Sequence, residues 1–490
     1  MNIAQTSCFQ GACSPAGHFM DRNLVASSSS KNSRSNNFMK QAPRVDRYAL
    51  DRGGRSIRQP QEGSSRALRV TPFKKNHGST DVPASALTCA VAASSTVTTD
   101  GGPAVSEAVI VGGGLAGLAL AIGLRNIGID AQVYEARTDV TGEGIGMTLY
   151  PNGLRALNRI DPAIVTQLLS RGVPNPTCLF LTPFGHRLSR WDLSTNMAAR
   201  YGFPMLVIGW QEVRDVLFRM LPKDAVHTGY RLVGMSQREE AEGGGSGDGR
   251  VKCVFQKVSE GTEHQVEVET PLLLGADGIF SETRRHLLGQ EEERNENGGL
   301  VGEGVGPQDK GRTIWRAIID SSLVPHPLLQ PHTTLTIMAG DRLGVVVNGH
   351  EGKLYWGLGL PDGADPTVSS SRSRCGEEAK EKILRAVKGW DVLPQLVEAT
   401  PPELIHERRA LDMPTLPFWV KGRTALLGDA AHAITPELGQ GANMAFEDAA
   451  QMVECIRAHS HVRHALESFQ SLRMPRVHDV TAKNIALAKA

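Results

Sequence analysis

The sequence predicts an α/β chain in which a parallel-sheet unit is interrupted by an antiparallel-sheet domain and then resumed. Three observations carry this. A glycine-rich strand–turn–helix opens near residue 108. The texture changes near Thr313 to short strand-like runs. A buried-strand pattern returns at 424–427 and delivers Gly428-Asp429.

The first element, 108–111, is wholly apolar, as a parallel strand covered on both faces must be. Gly112-x-Gly114-x-x-Gly117 follows. Gly112 permits a tight turn, Gly114 lets the backbone approach a pyrophosphate, and Gly117 lets the next helix pack closely. That helix starts near Leu115 and Ala116, so its free N–H groups and its dipole point at phosphates. A second strand, 131–134, ends at Glu135, eighteen residues after Gly117 and placed to accept hydrogen bonds from a ribose diol. Together these features predict a dinucleotide site in a Rossmann-like domain. The competing reading is a membrane span, because 108–124 is an uncharged run of 17 residues. That is the short end of what crosses a bilayer, and its five glycines suit a phosphate loop better.

Further along, 142–146 is a glycine-rich loop, and Pro151 opens an amphipathic helix to Ile160 with Leu154 and Leu157 on one face. Runs 178–181 and 186–191 flank Thr182-Pro183-Phe184-Gly185 as a hairpin. Residues 211–221 are helical by spacing, and 251–255 and 265–268 alternate as strands. Polar insertions fall at 239–250, 290–312 and 367–380. Then 314–319, 334–338, 343–348 and 354–360 read as strands with short turns, followed by a helix over 377–387. The predicted organisation is a leader at 1–100, a first nucleotide-binding part at 105–312, an antiparallel-sheet substrate domain at 313–400, and the nucleotide-binding domain resumed at 401–490.

A chain of 490 residues requires two or more domains. Net charge is +1, unevenly spread: residues 1–100 hold thirteen Lys/Arg against six Asp/Glu, and the remainder carries a balance of −6. The folded part therefore lacks the basic field that nucleic acid demands. Seven cysteines form no CxxC pair, and the histidines show no metal spacing. Residues 1–99 are rich in Ser, Asn, Arg and Gly, poor in acids and without a sustained apolar period. This suits an organellar transit peptide, to a plastid first and a mitochondrion second.

Three motifs now stand in order: Gly112-x-Gly114-x-x-Gly117 with Glu135; Gly275-Ala276-Asp277-Gly278 with Ser281 and Arg284; and Gly428-Asp429-Ala430-Ala431-His432, then Pro436-x-x-Gly439-Gln440-Gly441-x-Asn443 and Glu447-Asp448. This set resembles the single-component FAD-dependent aromatic hydroxylases, the para-hydroxybenzoate hydroxylase-like flavoprotein monooxygenases, from about Ala108 onward. The resemblance implies an FAD-binding domain of the GxGxxG type. It implies that Asp429 binds ribityl or ribose hydroxyls. Gly439, Gly441 and Asn443 would bring backbone N–H groups to the pyrimidine edge of the flavin. Asp277-Gly278 looks like the family motif associated with FAD and the nicotinamide cofactor, although an Asp-Gly pair alone reads as a turn. Arg284 reads equally as a surface cation or a phosphate ligand, and His432 as a structural residue beneath the flavin. Relatives often carry Arg where this chain has Trp210, with Arg214 one helical turn later.

The implied chemistry is hydride transfer from NADH or NADPH to FAD, addition of O2 at flavin C4a, and passage of one oxygen atom to a small substrate. Trp315, Arg316, His350 and Trp356 are candidates to face the substrate, each weighed towards a structural part. A plastid address favours zeaxanthin epoxidase-like enzymes; phenol or heteroaromatic hydroxylation fits equally. The rival readings are a flavin-dependent isoprenoid reductase and a catalytically inert FAD-binding protein.

Overall fold

A computed structural model describes residues 104–138, 146–174, 177–237, 249–257, 264–289, 306–362 and 376–489. The expected leader, the loop at 142–145 and most of the three polar insertions lie outside them. The helices, in chain order, are α1 (Leu115–Asn126), α2 (Pro151–Ile160), α3 (Pro162–Arg171), α4 (Ser194–Tyr201), α5 (Trp210–Arg219), α6 (Glu282–Leu287), α7 (Glu377–Ala386), α8 (Leu393–Ala399), α9 (Asp429–His432), α10 (Gly441–Ala458) and α11 (Val462–Lys489).

The central sheet has six strands in the order Val420–Lys421, Thr424–Leu426, Leu273–Gly275, Ala108–Val111, Ala131–Glu135, Val226–Thr228. All neighbours run parallel except the first pair. Strands distant in sequence thus meet at their C-terminal ends: Gly275 pairs with Val111 on one side and Leu426 on the other. In a parallel sheet that end is where ligands bind. The sequence run 108–124 is therefore a strand, a turn and most of α1. Among the described residues no helix is long and apolar enough to cross a membrane.

A seven-stranded sheet stands beside it, in the order His406–Asp412, Gln308–Asp320, Lys353–Pro361, Arg342–Asn348, Thr333–Ala339, Thr177–Leu181, Arg187–Asp192. Every pair is antiparallel except Thr333–Ala339 with Thr177–Leu181. It is wider than the 313–400 stretch, because the hairpin at 177–192 and the strand at 406–412 join its edges. Alternation splits its side chains. Trp315, Ala317, Ile319, Leu354, Trp356 and Leu358 form a core with α7 and α8. Ile314, Arg316, Ile318 and Tyr355 take the opposite face. There Tyr355 lies so close to strand Gly146–Leu149 that a Cβ on Gly146 would sit 2.6 Å from its ring. Trp315 and Trp356 therefore point into the core with α7 and α8, with their indole N–H groups bonded to Glu407 and Thr400. His350 is exposed beside Glu351. Of the four substrate candidates, only Arg316 shares the face turned from α7 and α8.

Candidate cofactor site

The loop after the first strand is built by two glycines that the fold requires and one that it does not. Gly112 has φ +106°, and a Cβ there would lie 2.4 Å from the carbonyl oxygen of Ala276. A Cβ on Gly117 would fall 2.0 Å from the carbonyl oxygen of Gly112. Gly114 is different. Its φ of −78° and ψ of −175° are open to any residue, and no protein atom lies within 4 Å of where its Cβ would be. Gly114 is also the N-cap of α1 and offers no side-chain cap. The N–H groups of Leu115, Ala116 and Gly117 thus have no partner within the helix, and about half a positive charge gathers there. Empty space above uncapped donors is the arrangement a diphosphate needs.

Glu135 ends the neighbouring strand. Its Oε2 accepts the Gly113 N–H at 2.6 Å and its Oε1 the Arg137 N–H at 2.8 Å, which fixes the carboxylate at the loop. Glu135, Gly113 and Arg137 line a cavity of about 270 Å3 with Gly114, Arg214, Asp277 and Gly278. That volume is just below the roughly 300–1,000 Å3 of whole-ligand pockets, so it suits one end of a dinucleotide.

Asp277 and Gly278 sit where the central strand Leu273–Gly275 ends. The Asp277 carboxylate accepts from Ser281 Oγ (2.5 Å), from the Thr283 N–H (2.9 Å) and from Thr283 Oγ1 (3.0 Å). Burial pushes its pKa up against the lowering pull of these bonds. Its side chain therefore builds the turn into α6, and Gly278 at φ +79° completes that turn. Asp277 and Gly278 both line the cavity from this turn. Arg284 is neither a surface cation nor a phosphate ligand. It is buried, donating from Nη1 to the Ala430 carbonyl (2.9 Å) and from Nη2 to the Ile279 carbonyl (2.6 Å), and so ties the second motif to the third.

Arg214 is the residue that spacing left undecided. It projects from α5, is buried, donates from Nε to the Gly113 carbonyl at 3.1 Å and lines the cavity. Its guanidinium carbon lies 5.9 Å from the Trp210 ring centre, within cation–π range. A cation thus stands beside the phosphate loop even though Trp occupies the strand end.

The third motif closes the other side. Gly428 takes φ +59°, and its N–H donates to Asp448 Oδ2 at 2.9 Å. Asp429, first residue of α9, is solvent-accessible, although the protein atoms around it penalise its charged form. Its pKa is pushed up by burial, a shift that His432 opposes and the negative charge of Asp448 reinforces. Such a carboxylate gains from a hydroxyl donor. His432 is buried, with Nε2 2.5 Å from Asp448 Oδ2, and is structural as expected. Asp448 also accepts from Arg473 Nε at 2.7 Å. Burial alone would raise its pKa, but His432 and Arg473 hold it at about 2.

Gly439 adopts φ +61°, and a Cβ there would lie 3.3 Å from the Tyr150 ring. Gly441 opens α10, which has no side-chain cap, and no protein atom lies within 4 Å of its Cβ position. Asn443 contributes its side chain to the protein itself, which leaves only its backbone to face a cofactor. It is fully buried: Oδ1 accepts the Tyr150 N–H (2.9 Å), and Nδ2 donates to the carbonyls of Thr148 (3.0 Å) and Gly439 (2.9 Å). Its amide holds the loop in shape, with both Nδ2 hydrogens donated within the protein. The geometry fits FAD at both ends. Phosphate donors, Glu135 and a cation stand at one, and Asp429 with a second uncapped helix stands at the other.

Comparison with known proteins agrees. The FAD binding domain family matches residues 105–312 and 363–484, and the chain belongs to it. Within that family it is an FAD-dependent monooxygenase of the para-hydroxybenzoate hydroxylase-like, aromatic-hydroxylase kind. It is 29% identical over 375 residues to the aurachin C monooxygenase/isomerase of Stigmatella aurantiaca, covering 76% of this chain and 86% of that one. Identity to an FAD-dependent urate hydroxylase of Mycolicibacterium vanbaalenii is 28%, over 77% and 86% of the two chains. In fold it is similar to HpxO of Klebsiella pneumoniae complexed with FAD and uric acid, with a TM-score of 0.65 and 22% identity over 78% and 88% of the chains.

Proposed function

We propose that the protein uses NADH or NADPH and O2 to hydroxylate, or in second place to epoxidise, a small aromatic or isoprenoid substrate. The observation that carries this is the pairing of an FAD-shaped cradle with the sheet face that α7 and α8 leave uncovered. Bound FAD would supply the two-electron and oxygen chemistry. This chain's residues do the rest. The α1 N–H groups and Arg214 bind the diphosphate, Glu135 accepts from the ribose, and Asp429 accepts from a ribityl or ribose hydroxyl. The α10 N-terminus favours negative charge at the pyrimidine edge. The face bearing Ile314, Ile318 and Tyr355 excludes water and orients the substrate.

An aromatic or heteroaromatic ring is the preferred substrate class. Relatives are named as a 3-amino-4-hydroxybenzoate 2-monooxygenase, a urate hydroxylase and a 6-hydroxynicotinate 3-monooxygenase, whose named substrates are all ring compounds. The test is a screen of such rings against purified holoprotein under air, following NAD(P)H loss, O2 uptake and product. Product that forms without O2 would establish the reductase reading, and absence of NAD(P)H oxidation with every ring the inert one. We also propose plastid import through residues 1–100. A fluorescent fusion of that segment tests it, and a cytosolic signal would refute it.

A further inference from the structure

Polar side chains of α11 grip the segment that leads into the third motif and then the motif itself. Gln470 Oε1 accepts the N–H groups of Trp419 (2.7 Å) and Val420 (3.1 Å). Arg473 bonds Asp448, and its Nη1 donates to Glu447 Oε2 at 2.7 Å. Asn484, only 1% exposed, takes the loop at 435–438: Oδ1 accepts the Leu438 N–H (3.0 Å), and Nδ2 donates to Thr435 Oγ1 (2.9 Å) and Glu437 Oε2 (3.3 Å). From the other side, Arg312 Nη1 of the seven-stranded sheet lies 3.8 Å from Glu437 Oε1. The loop is thus held between the C-terminal helix and the sheet. It continues directly into the Gly439–Gly441 turn and the uncapped start of α10.

We propose that Asn484 is a positioning residue for the flavin, acting through the 435–438 loop on the backbone donors at Gly439–Gly441, with Glu437–Arg312 as the opposing tether. The proposal rests on the reading of this site as a flavin site. An asparagine presents one acceptor and two donors at once, and all three sites are used here. Removal strands the buried Leu438 N–H and frees Glu437. A shift of the turn then moves the donors away from the ring edge. None of the Asn484 partners lines the dinucleotide cavity, so the adenosine end stays intact. The same side chain faces a carboxylate, so Asn484→Asp sets two acceptors against each other, and Glu437→Gln restores a donor between them.

The experiment compares wild type, Asn484→Ala, Asn484→Asp and Asn484→Asp/Glu437→Gln. The readouts are ADP affinity, FAD affinity, and the visible spectrum and fluorescence quenching of bound flavin. The expected result is unchanged ADP binding throughout. FAD affinity falls by about tenfold or more in both single variants, and their flavin spectra move towards that of free FAD. The double variant recovers both properties. Equal losses of ADP and FAD affinity, or no rescue by Glu437→Gln, would reduce Asn484 to a structural residue and overturn the proposal. So would FAD affinity and spectra that stay at wild-type values. Wild-type protein that binds neither ADP nor FAD would overturn the flavin reading itself, and this proposal with it.

Discussion

Gly114→Val separates the needs of the fold from those of the ligand. The backbone at Gly114 already sits in an extended conformation that valine prefers, and the new methyl groups extend from a Cβ with no protein atom within 4 Å. The cost to the apoprotein is the change of N-cap residue alone, about 1 kcal/mol or less. The cost to FAD is far larger. The branched side chain occupies the space above the α1 N–H groups, and each hydrogen bond to a charged phosphate contributes about 1.5–3 kcal/mol. Losing two such bonds weakens binding by at least a hundredfold. Purified Gly114→Val should be colourless, with a far-UV spectrum and apoprotein melting temperature close to wild type. Gly117→Ala is the control that should fail differently. Its Cβ meets the Gly112 carbonyl at 2.0 Å, so the loop itself must move and stability must fall. Yellow Gly114→Val protein with full FAD occupancy would refute the placement of the diphosphate.

Three further outcomes follow from the same geometry. Asp429→Ala removes a charged acceptor and should lower FAD affinity roughly ten- to a hundredfold by fluorescence titration; unchanged affinity would show that the carboxylate does not meet the cofactor. Arg214→Ala should weaken FAD to a similar degree. Arg214→Lys should not restore it, because an ammonium cannot reproduce the guanidinium bond to Gly113; full rescue by lysine would show that charge alone matters. Asp448 has a folded-state pKa of about 2, below its ordinary value of 3.8, so its stabilisation is complete above about pH 4 and is lost as pH falls towards 2. The loss should be roughly 2 kcal/mol and should vanish from the pH profile of Asp448→Asn; a variant that keeps the acid-induced loss would assign it to other carboxylates.

The sequence disclosed the scaffold because its signals are local. The apolar run 108–111, the glycine spacing and Glu135 all lie within one strand–helix–strand unit, and the observed elements match them. The helices at 151–160 and 377–386 follow from periodicity and from Pro151 in the same way. Side-chain direction was less legible. Asn443 and Asp277 carry motif positions, yet their polar atoms are used within the protein, and only contacts between distant segments reveal this: Asn443 with Thr148 and Tyr150, Arg284 with Ala430. The width of the large sheet was hidden for a similar reason. Its parallel pairing of Thr177–Leu181 with Thr333–Ala339 joins strands more than 150 residues apart, for which no local turn signal exists. The part played by Arg214 had one available clue, its position one turn after Trp210 on an amphipathic helix.

The glycines explain why motif and mechanism can be separated at all. Gly112, Gly428 and Gly439 have left-handed or related backbone that other residues resist, and Gly117 has no room for a Cβ. A protein with this fold would need them even if it bound nothing. Gly114 and Gly441 meet neither condition: their Cβ positions look into open space, and neither has a positive φ. Both stand at the uncapped N-terminus of a helix, α1 and α10, where a glycine gives little to stability. What they preserve is access to backbone donors. Two such openings, one beside Glu135 and one beyond Asp429, match the two ends of an extended dinucleotide. The loop between Asn484 and Arg312 sets the second opening, so the contacts that hold the C-terminal helix in place also determine where the reactive ring can lie.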